Sequence, residues 1–185
     1  MRLTAPKIVA ATALLVAAGS AWATGTDNSK TIVVSASVAT SCIVSAGNTL
    51  GFGAYDPVSA NATAGAGDLA QSGTFTLKCT KNAPVVVGIT TGANASGAQR
   101  RMKDAGTNYL NYDLYQPDVS GGVVSGVYGT CPSTAQAWNT TGLGNLSYSP
   151  PSSATITIPV CGVVPGGQDA AAGSYTDTVN LNVSF

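Results

Sequence analysis

Four cysteines are the residues of this sequence best suited to specific chemistry: Cys42, Cys79, Cys131 and Cys161. Structural zinc sites usually combine such thiolates with histidines or with Cys-x-x-Cys pairs, and the sequence has neither. We therefore predict no metal site. If the chain is exported, four cysteines favour two disulfides, and spacing alone does not choose among the three possible pairings. We favour Cys42 with Cys79 and Cys131 with Cys161, because each pair joins segments whose pattern is typical of strands.

Catalytic residues are hard to find among the other polar side chains. The sequence has no histidine and no glutamate, and it lacks the Gly-x-Ser-x-Gly motif of many hydrolases. Asp104, Asp113 and Asp118 are close in sequence, but their surroundings predict solvent-facing and loop positions. The segment 65–70 matches a loose nucleotide-binding pattern without the strand and helix that should flank it. We predict no catalytic residue, no cofactor and no enzymatic activity.

The first 23 residues have the pattern of a secretory signal peptide. Arg2 and Lys7 precede an apolar run over residues 8–18, and Ala21-Trp22-Ala23 supplies the small residues expected before a cleavage site. The run is about half as long as a membrane-spanning helix requires, so we expect no stable membrane insertion. Cleavage would remove two of the eight Lys and Arg residues and leave six against eight aspartates, a net charge of −2. This charge gives no reason to expect binding to nucleic acid.

The rest of the chain alternates apolar and polar residues with a period of two, which is typical of half-buried β-strands. Runs of this kind cover residues 31–39, 73–80, 84–91, 109–116, 154–161 and 175–185. Stretches rich in glycine, serine, alanine and asparagine separate them and predict loops at residues 59–67, 92–97, 120–126 and 165–173. The basic cluster of Arg100, Arg101 and Lys103 also lies in a loop-like stretch. Several short strands without a convincing helix predict an all-β, antiparallel sandwich of the immunoglobulin-like kind.

The first and last runs carry the main functional prediction. Because the sequence ends on the last run, we expect that run to leave an exposed edge, with one apolar face formed by Tyr175, Val179, Leu181, Val183 and Phe185. The first run has its own apolar face, formed by Ile32, Val34, Ala36 and Val38. It is either the first strand of its own sandwich or a strand that completes the sheet of a neighbouring molecule. Burial of Ile32, Val34 and Val38 would stabilise such a contact by roughly 1.5–3 kcal/mol each.

A series of short motifs follows the first run in a fixed order. They are the alternating segment that ends at Cys42, the segments 50–57, 73–80, 100–102, 109–115 and 173–179, and the terminal Phe185. In this order the motifs resemble the spore coat protein U domain, the fold of the rod subunits of archaic chaperone–usher pili and especially of their major pilin. Two features depart from the family pattern. Tyr128-Gly129 stands where the family often has Trp-Gly, and Cys131 and Cys161 look like an additional pair.

The resemblance implies an incomplete immunoglobulin-like β-sandwich that is completed by donor-strand exchange. Residues 24–41 would be an N-terminal extension that carries the donor strand, and residues 42–185 would be the pilin domain, with residues 175–185 as one wall of the acceptor groove. It also implies a periplasmic chaperone, an outer-membrane usher, and assembly with identical or related subunits into a surface fimbrium that supports attachment and biofilm formation. Two alternatives stay open, a secreted monomeric module that binds a surface or a carbohydrate, and a coat or matrix protein.

Overall fold

The computed structural model describes residue 25 and residues 30–46, 49–120, 123–125, 136–138 and 145–185. The predicted signal peptide and Cys131 lie outside these residues. The chain divides into two units, Met1–Ser37 and Val38–Phe185, and every strand given below belongs to the second. In the described residues we find no helix, and accordingly none long and apolar enough to span a membrane.

Ten strands are present in the described part of the chain. They are β1 (Cys42–Ala46), β2 (Leu69–Cys79), β3 (Val85–Ile89), β4 (Arg100–Lys103), β5 (Tyr109–Tyr115), β6 (Asp118–Ser120), β7 (Val123–Ser125), β8 (Leu146–Tyr148), β9 (Ile156–Val164) and β10 (Leu181–Ser184).

The strands form two main sheets, and every pairing is antiparallel. The larger sheet has the order β1-β2-β9-β5-β4, the smaller has the order β10-β3-β8, and β6 and β7 form a separate hairpin. The longest pairing joins β2 to β9, from Leu69 opposite Val164 to Leu77 opposite Ile156. This is the all-β, immunoglobulin-like arrangement that the sequence predicted.

The core is built from the inward faces of strands that alternate in sequence. Each of three strands contributes three buried side chains: Phe75, Leu77 and Cys79 from β2, Val85, Val87 and Ile89 from β3, and Leu110, Tyr112 and Leu114 from β5. Trp138 is also buried and packs edge-on against Phe75, with 6.2 Å between the ring centroids. The predicted runs 73–80, 84–91, 109–116 and 154–161 are thus confirmed as β2, β3, β5 and β9.

Two predicted strands differ from the structure. Residues 31–39 form no strand, and no strand pairing includes a residue before Cys42. An alternating segment becomes a strand only when it has a partner, so the alternation alone was not sufficient. The last run is a strand only over Leu181–Ser184. Before it, Thr176 forms an isolated bridge with Lys103, and the carbonyls of Thr178 and Asn180 accept backbone hydrogen bonds from Ala93 and Thr90.

Two predicted loops contain strands. Arg100, Arg101 and Lys103 belong to β4, which pairs with β5, and the prediction of a loop there was wrong because charge was taken as a sign of full solvation. The Arg100 side chain is only 3% exposed. The predicted loop 120–126 overlaps the β6–β7 hairpin, of which residues 121 and 122 are outside the described part.

Candidate functional site

An apolar cleft of about 960 Å³ opens on one side of the unit Val38–Phe185. Segment 49–58 forms one wall and segment 170–179 forms the other. The residues at its base come from β2, β4, β5 and β9: Leu69, Met102, Leu110, Tyr112, Leu114 and Val164. Because the last four of these are buried core residues, the cleft leads directly to the hydrophobic core. The two sheets alone therefore do not seal the core on this side.

Leu50 and Phe52 anchor the first wall against β9. A Cβ atom added at Gly162 would lie 2.5 Å from Leu50 Cδ2 and 2.7 Å from Phe52 Cζ, so the side chains lie directly on the backbone of the strand. The Phe52 ring also packs against Tyr112, with 6.0 Å between the centroids. Residues 49–56 belong to no strand, so Leu50 and Phe52 attach this part of the wall to β9 by apolar packing and not by strand pairing.

Tyr55 links the first wall to the turn that leads into the second. Its hydroxyl accepts a hydrogen bond from the Gln168 N–H at 2.9 Å and donates to the Pro165 carbonyl at 3.1 Å. The Gln168 side chain reaches β5, where its oxygen accepts from the Asn111 N–H at 2.8 Å and its nitrogen donates to the Asn111 carbonyl at 3.0 Å. These bonds fix the separation of the walls at one end of the cleft.

The second wall is bound to the larger sheet through its backbone and through one carboxylate. The N–H of Thr176 donates to the Lys103 carbonyl at 3.0 Å, and the N–H of Lys103 donates to the Thr176 carbonyl at 2.9 Å. The Tyr112 hydroxyl, at the base of the cleft, donates to Asp177 Oδ2 at 2.7 Å. Segment 176–177 is therefore attached to β4 and to β5.

The second wall continues into a strand with an open edge. In the described residues β10 has one neighbour, β3, and the Thr90 N–H donates to the Asn180 carbonyl at 2.9 Å. In an antiparallel pair, alternate residues direct their backbone groups to opposite edges. Since Asn180 faces β3, the N–H and C=O groups of Val179, Leu181 and Val183 face away from it. This edge can accept a further strand.

Two buried polar side chains lie near the base of the cleft. Arg100 donates to the Ile89 carbonyl at 2.8 Å and to the Thr90 carbonyl at 3.1 Å. Burial lowers the pKa of its guanidinium, and Tyr112 is the largest opposing influence. Burial, followed by the hydrogen bond to Asp177, raises the pKa of the Tyr112 phenol well above its usual value. Tyr112 is therefore a neutral hydrogen-bond donor at any physiological pH.

The five predicted groove residues occupy three kinds of position. Tyr175 and Val179 line the cleft. Leu181 and Val183 are half-buried in β10 and pack against the core. Phe185 follows β10 and is 57% exposed. The structure thus gathers four of the five along the second wall and its continuation, and their role as an acceptor remains a prediction.

The four predicted donor residues are exposed. Ile32, Val34 and Val38 are 86%, 89% and 84% exposed, and Ala36 is exposed as well. Isolated large apolar residues on a surface are common, but Val33 is 84% exposed as well, so this short segment presents four large apolar side chains to solvent. Their function as a donor strand is not tested by the monomer and remains a prediction.

The cysteines agree with the prediction as far as they are described. Cys42 and Cys79 form a disulfide that joins the start of β1 to the end of β2. Cys161 is buried in β9 and is also disulfide-bonded. Cys131 lies outside the described residues, so its pairing with Cys161 stays a prediction.

The first wall of the cleft and the attachment of the second wall to β4 and β5 were not predictable from the sequence. Leu50, Phe52 and Tyr55 were noted only as members of the family motif 50–57. Segment 49–56 does not alternate apolar and polar residues, so no pattern in it predicted a contact with the core. The large apolar residues Leu50 and Phe52, one on each side of Gly51, were the one available signal. Nothing in the sequence marked Asp177 as the partner of a tyrosine 65 residues away.

Comparison with known proteins places the chain among relatives of the same fold. A family model described as the Spore Coat Protein U domain matches residues 28–182. The chain belongs to this family. Protein U of Myxococcus xanthus is 35% identical over 149 residues, which is 75% of this chain and 73% of that protein. Membership of the family therefore rests on most of the chain.

One solved structure of similar fold is the crystal structure of the CsuC–CsuE chaperone–tip adhesion subunit pre-assembly complex from the archaic chaperone-usher Csu pili of Acinetobacter baumannii. The TM-score is 0.52 and the identity is 18%, so the similarity concerns the fold alone. The match covers 80% of this chain, and the chain spans 40% of the solved chain.

Proposed function

We propose that this protein is a structural, non-enzymatic subunit of an archaic chaperone–usher pilus that polymerises by donor-strand complementation. In this proposal residues 31–39 of one subunit form a strand in the apolar cleft of the next. The observation that carries the proposal is the cleft itself, which exposes the core next to a strand edge with free backbone groups. Family membership and the fold of the Csu pilus complex support the same function.

The donor segment and the cleft that would receive it have complementary chemistry. The donor segment offers Ile32, Val34, Ala36 and Val38 at every second position, which is the spacing of side chains on one face of a strand. The cleft offers an apolar base, and the adjoining edge offers the backbone groups of Val179, Leu181 and Val183. Burial of the donor side chains together with new ladder hydrogen bonds would contribute roughly 10 kcal/mol. This is comparable to the whole stability of a typical domain.

The open cleft is also a reason for a subunit to require a chaperone and an usher before assembly. An open apolar groove beside an unpaired edge is prone to unspecific association. A periplasmic chaperone that occupies the cleft would prevent this, and an outer-membrane usher would exchange the chaperone for the donor segment of the next subunit. The finished product is then a fimbrium on the cell surface, with a role in surface attachment and biofilm formation.

The test compares two substitutions that differ only in the face of the donor strand. We expect Val34→Asp to abolish fibres, because it would place a charge in the apolar cleft, whereas Val33→Asp would place the same charge on the opposite face and leave fibres intact. Electron microscopy of cells that express each variant measures the outcome.

Deletion of Ser29 to Val38 should likewise abolish fibres and leave a chaperone-bound monomer.

Two results would contradict the proposal. One is fibres of normal length from the deletion variant. The other is a stable, fully folded monomer that forms in the absence of any chaperone and whose cleft is closed by its own residues 31–39, which would instead favour a secreted binding module.

A further inference from the structure

Asp177 occupies an unusual position on the second wall of the cleft. Its Oδ2 accepts the hydrogen bond from the Tyr112 hydroxyl at 2.7 Å, and its Oδ1 accepts from both the N–H and the side-chain amide of Asn94 at 3.1 Å. Gly92, with a φ of 99°, makes room for the carboxylate, and a Cβ atom at that position would overlap it. One side chain thus joins the wall to β5 and to the loop after β3.

The three donors explain why this residue is an aspartate. An ionised carboxylate only accepts hydrogen bonds, and it can accept all three at the same time. An asparagine of the same shape would direct an NH₂ group at one set of donors. Tyr112 keeps its proton at physiological pH, so the donor in the shortest of these bonds is always present.

The second wall needs this attachment because one of its sides borders the open cleft and packs against no described residue. Tyr175 and Val179 are half-buried apolar side chains beside an open cleft, and the hydrophobic effect favours their collapse into it. Collapse would fill the space that an incoming strand requires. A wall that is held in place avoids the cost of reopening the cleft at the moment of binding.

We propose that Asp177 is a positioning residue that holds the second wall in its strand-accepting shape before any strand arrives, through Tyr112 and Asn94. This inference rests on the proposed function of the cleft. On this inference, loss of the Asp177 contacts lowers the rate at which a donor segment binds in the cleft. A purely structural role would instead lower the stability of the whole domain.

The experiment measures binding of a fluorescent peptide of residues 30–40 to the full chain. The parent carries Val34→Asp, so that its own segment is a poor donor. Tyr112→Phe removes a single hydroxyl and Asp177→Asn removes the charge, and both should slow peptide association about tenfold, a change that corresponds to one hydrogen bond, with little change in dissociation. Asp169→Asn is the matched control, since it removes the same charge from an exposed residue of the turn before the wall, and it should bind like the parent.

The outcomes separate this inference from the proposed function. If the parent binds the peptide, and Tyr112→Phe and Asp177→Asn both associate with it at the parental rate, the inference is overturned. If the parent itself does not bind, the proposed function fails, and hydrogen exchange of residues 175–180 in the full chain then decides the inference. Faster exchange in Tyr112→Phe than in Asp169→Asn supports a held wall, and equal exchange overturns it. Tyr112→Phe keeps the ring in the core, so it remains informative if Asp177→Asn does not fold.

Discussion

Arg100 is a buried cation that bonds to main-chain carbonyls of the opposite sheet. The guanidinium of this β4 residue reaches Ile89 and Thr90 at the end of β3, and so it joins the two sheets near the cleft. A buried carbonyl without a donor carries the free-energy cost of its removal from water with no hydrogen bond to offset it. At the scale of single residues, the sandwich is therefore held by directed polar bonds as well as by apolar packing.

Substitution of Arg100 tests this role. We expect Arg100→Met to lower the free energy of unfolding by about 2–4 kcal/mol, because the buried Ile89 carbonyl and the partly buried Thr90 carbonyl would lose this charged donor. Arg101→Met is the control, since Arg101 lies 4.0 Å over the Tyr109 ring on the partly exposed face and donates to Asn94, and its loss should cost about 1 kcal/mol or less. Urea unfolding with intact disulfides measures both. Equal losses would show that burial of Arg100 has no special importance.

At the scale of elements, β9 supports the cleft as well as the sheet. It lies between β2 and β5, and Gly162 lies opposite Leu114 in β5. Leu50 and Phe52 of the first wall rest on this glycine. The position of the wall thus depends on the absence of a side chain in the middle of a central strand.

A single methyl group should displace the first wall. We expect Gly162→Ala to force Leu50 and Phe52 away from β9 and to lower the free energy of unfolding by about 1–3 kcal/mol. Gly51→Ala serves as the matched control, because a Cβ atom there meets nothing within 4 Å, and its effect should stay within about 0.5 kcal/mol. Chemical denaturation compares the two. A loss in Gly51→Ala as large as in Gly162→Ala would contradict this account of the wall.

The period-two pattern predicted those elements that bury one face in the sheets. Leu77 in β2, Val87 in β3 and Leu110 in β5 are buried as their alternation requires. The pattern failed for β4, because the guanidinium of Arg100 reaches carbonyls of another sheet and no local signal reports that contact. It also failed for residues 31–39, whose alternation specifies a face without specifying a partner.

The candidate site was predictable only in part, because some of its residues are positioned by contacts with distant parts of the chain. Tyr175 and Val179 were recognised from their alternation and line the cleft. The first wall was not, because Leu50 and Phe52 are positioned by contact with Gly162, more than 100 residues further along the chain. Tertiary contacts of this kind leave no periodic trace in the sequence.

At the scale of the whole molecule, composition and architecture agree with assembly. Only 9% of the residues are charged, against about 25% in typical globular proteins, which suits a surface that packs against other protein. The unit Val38–Phe185 has an apolar cleft beside an open strand edge, and the residues from Ile32 to Val38 expose an alternating apolar series. The proposed function joins these two features in different copies of the chain.

The central claim is that the cleft of one copy receives residues 31–39 of another, and cross-linking between copies tests it most directly. A photoreactive residue at position 34 would be activated in assembled fibres made from a mixture of isotopically labelled and unlabelled chains, and mass spectrometry would identify the products. We predict cross-links from position 34 to Leu50, Phe52 or Val179 that join labelled to unlabelled chains, with few such products from position 33. Cross-links to the cleft that occur only within one chain, or none to the cleft at all, would contradict the account.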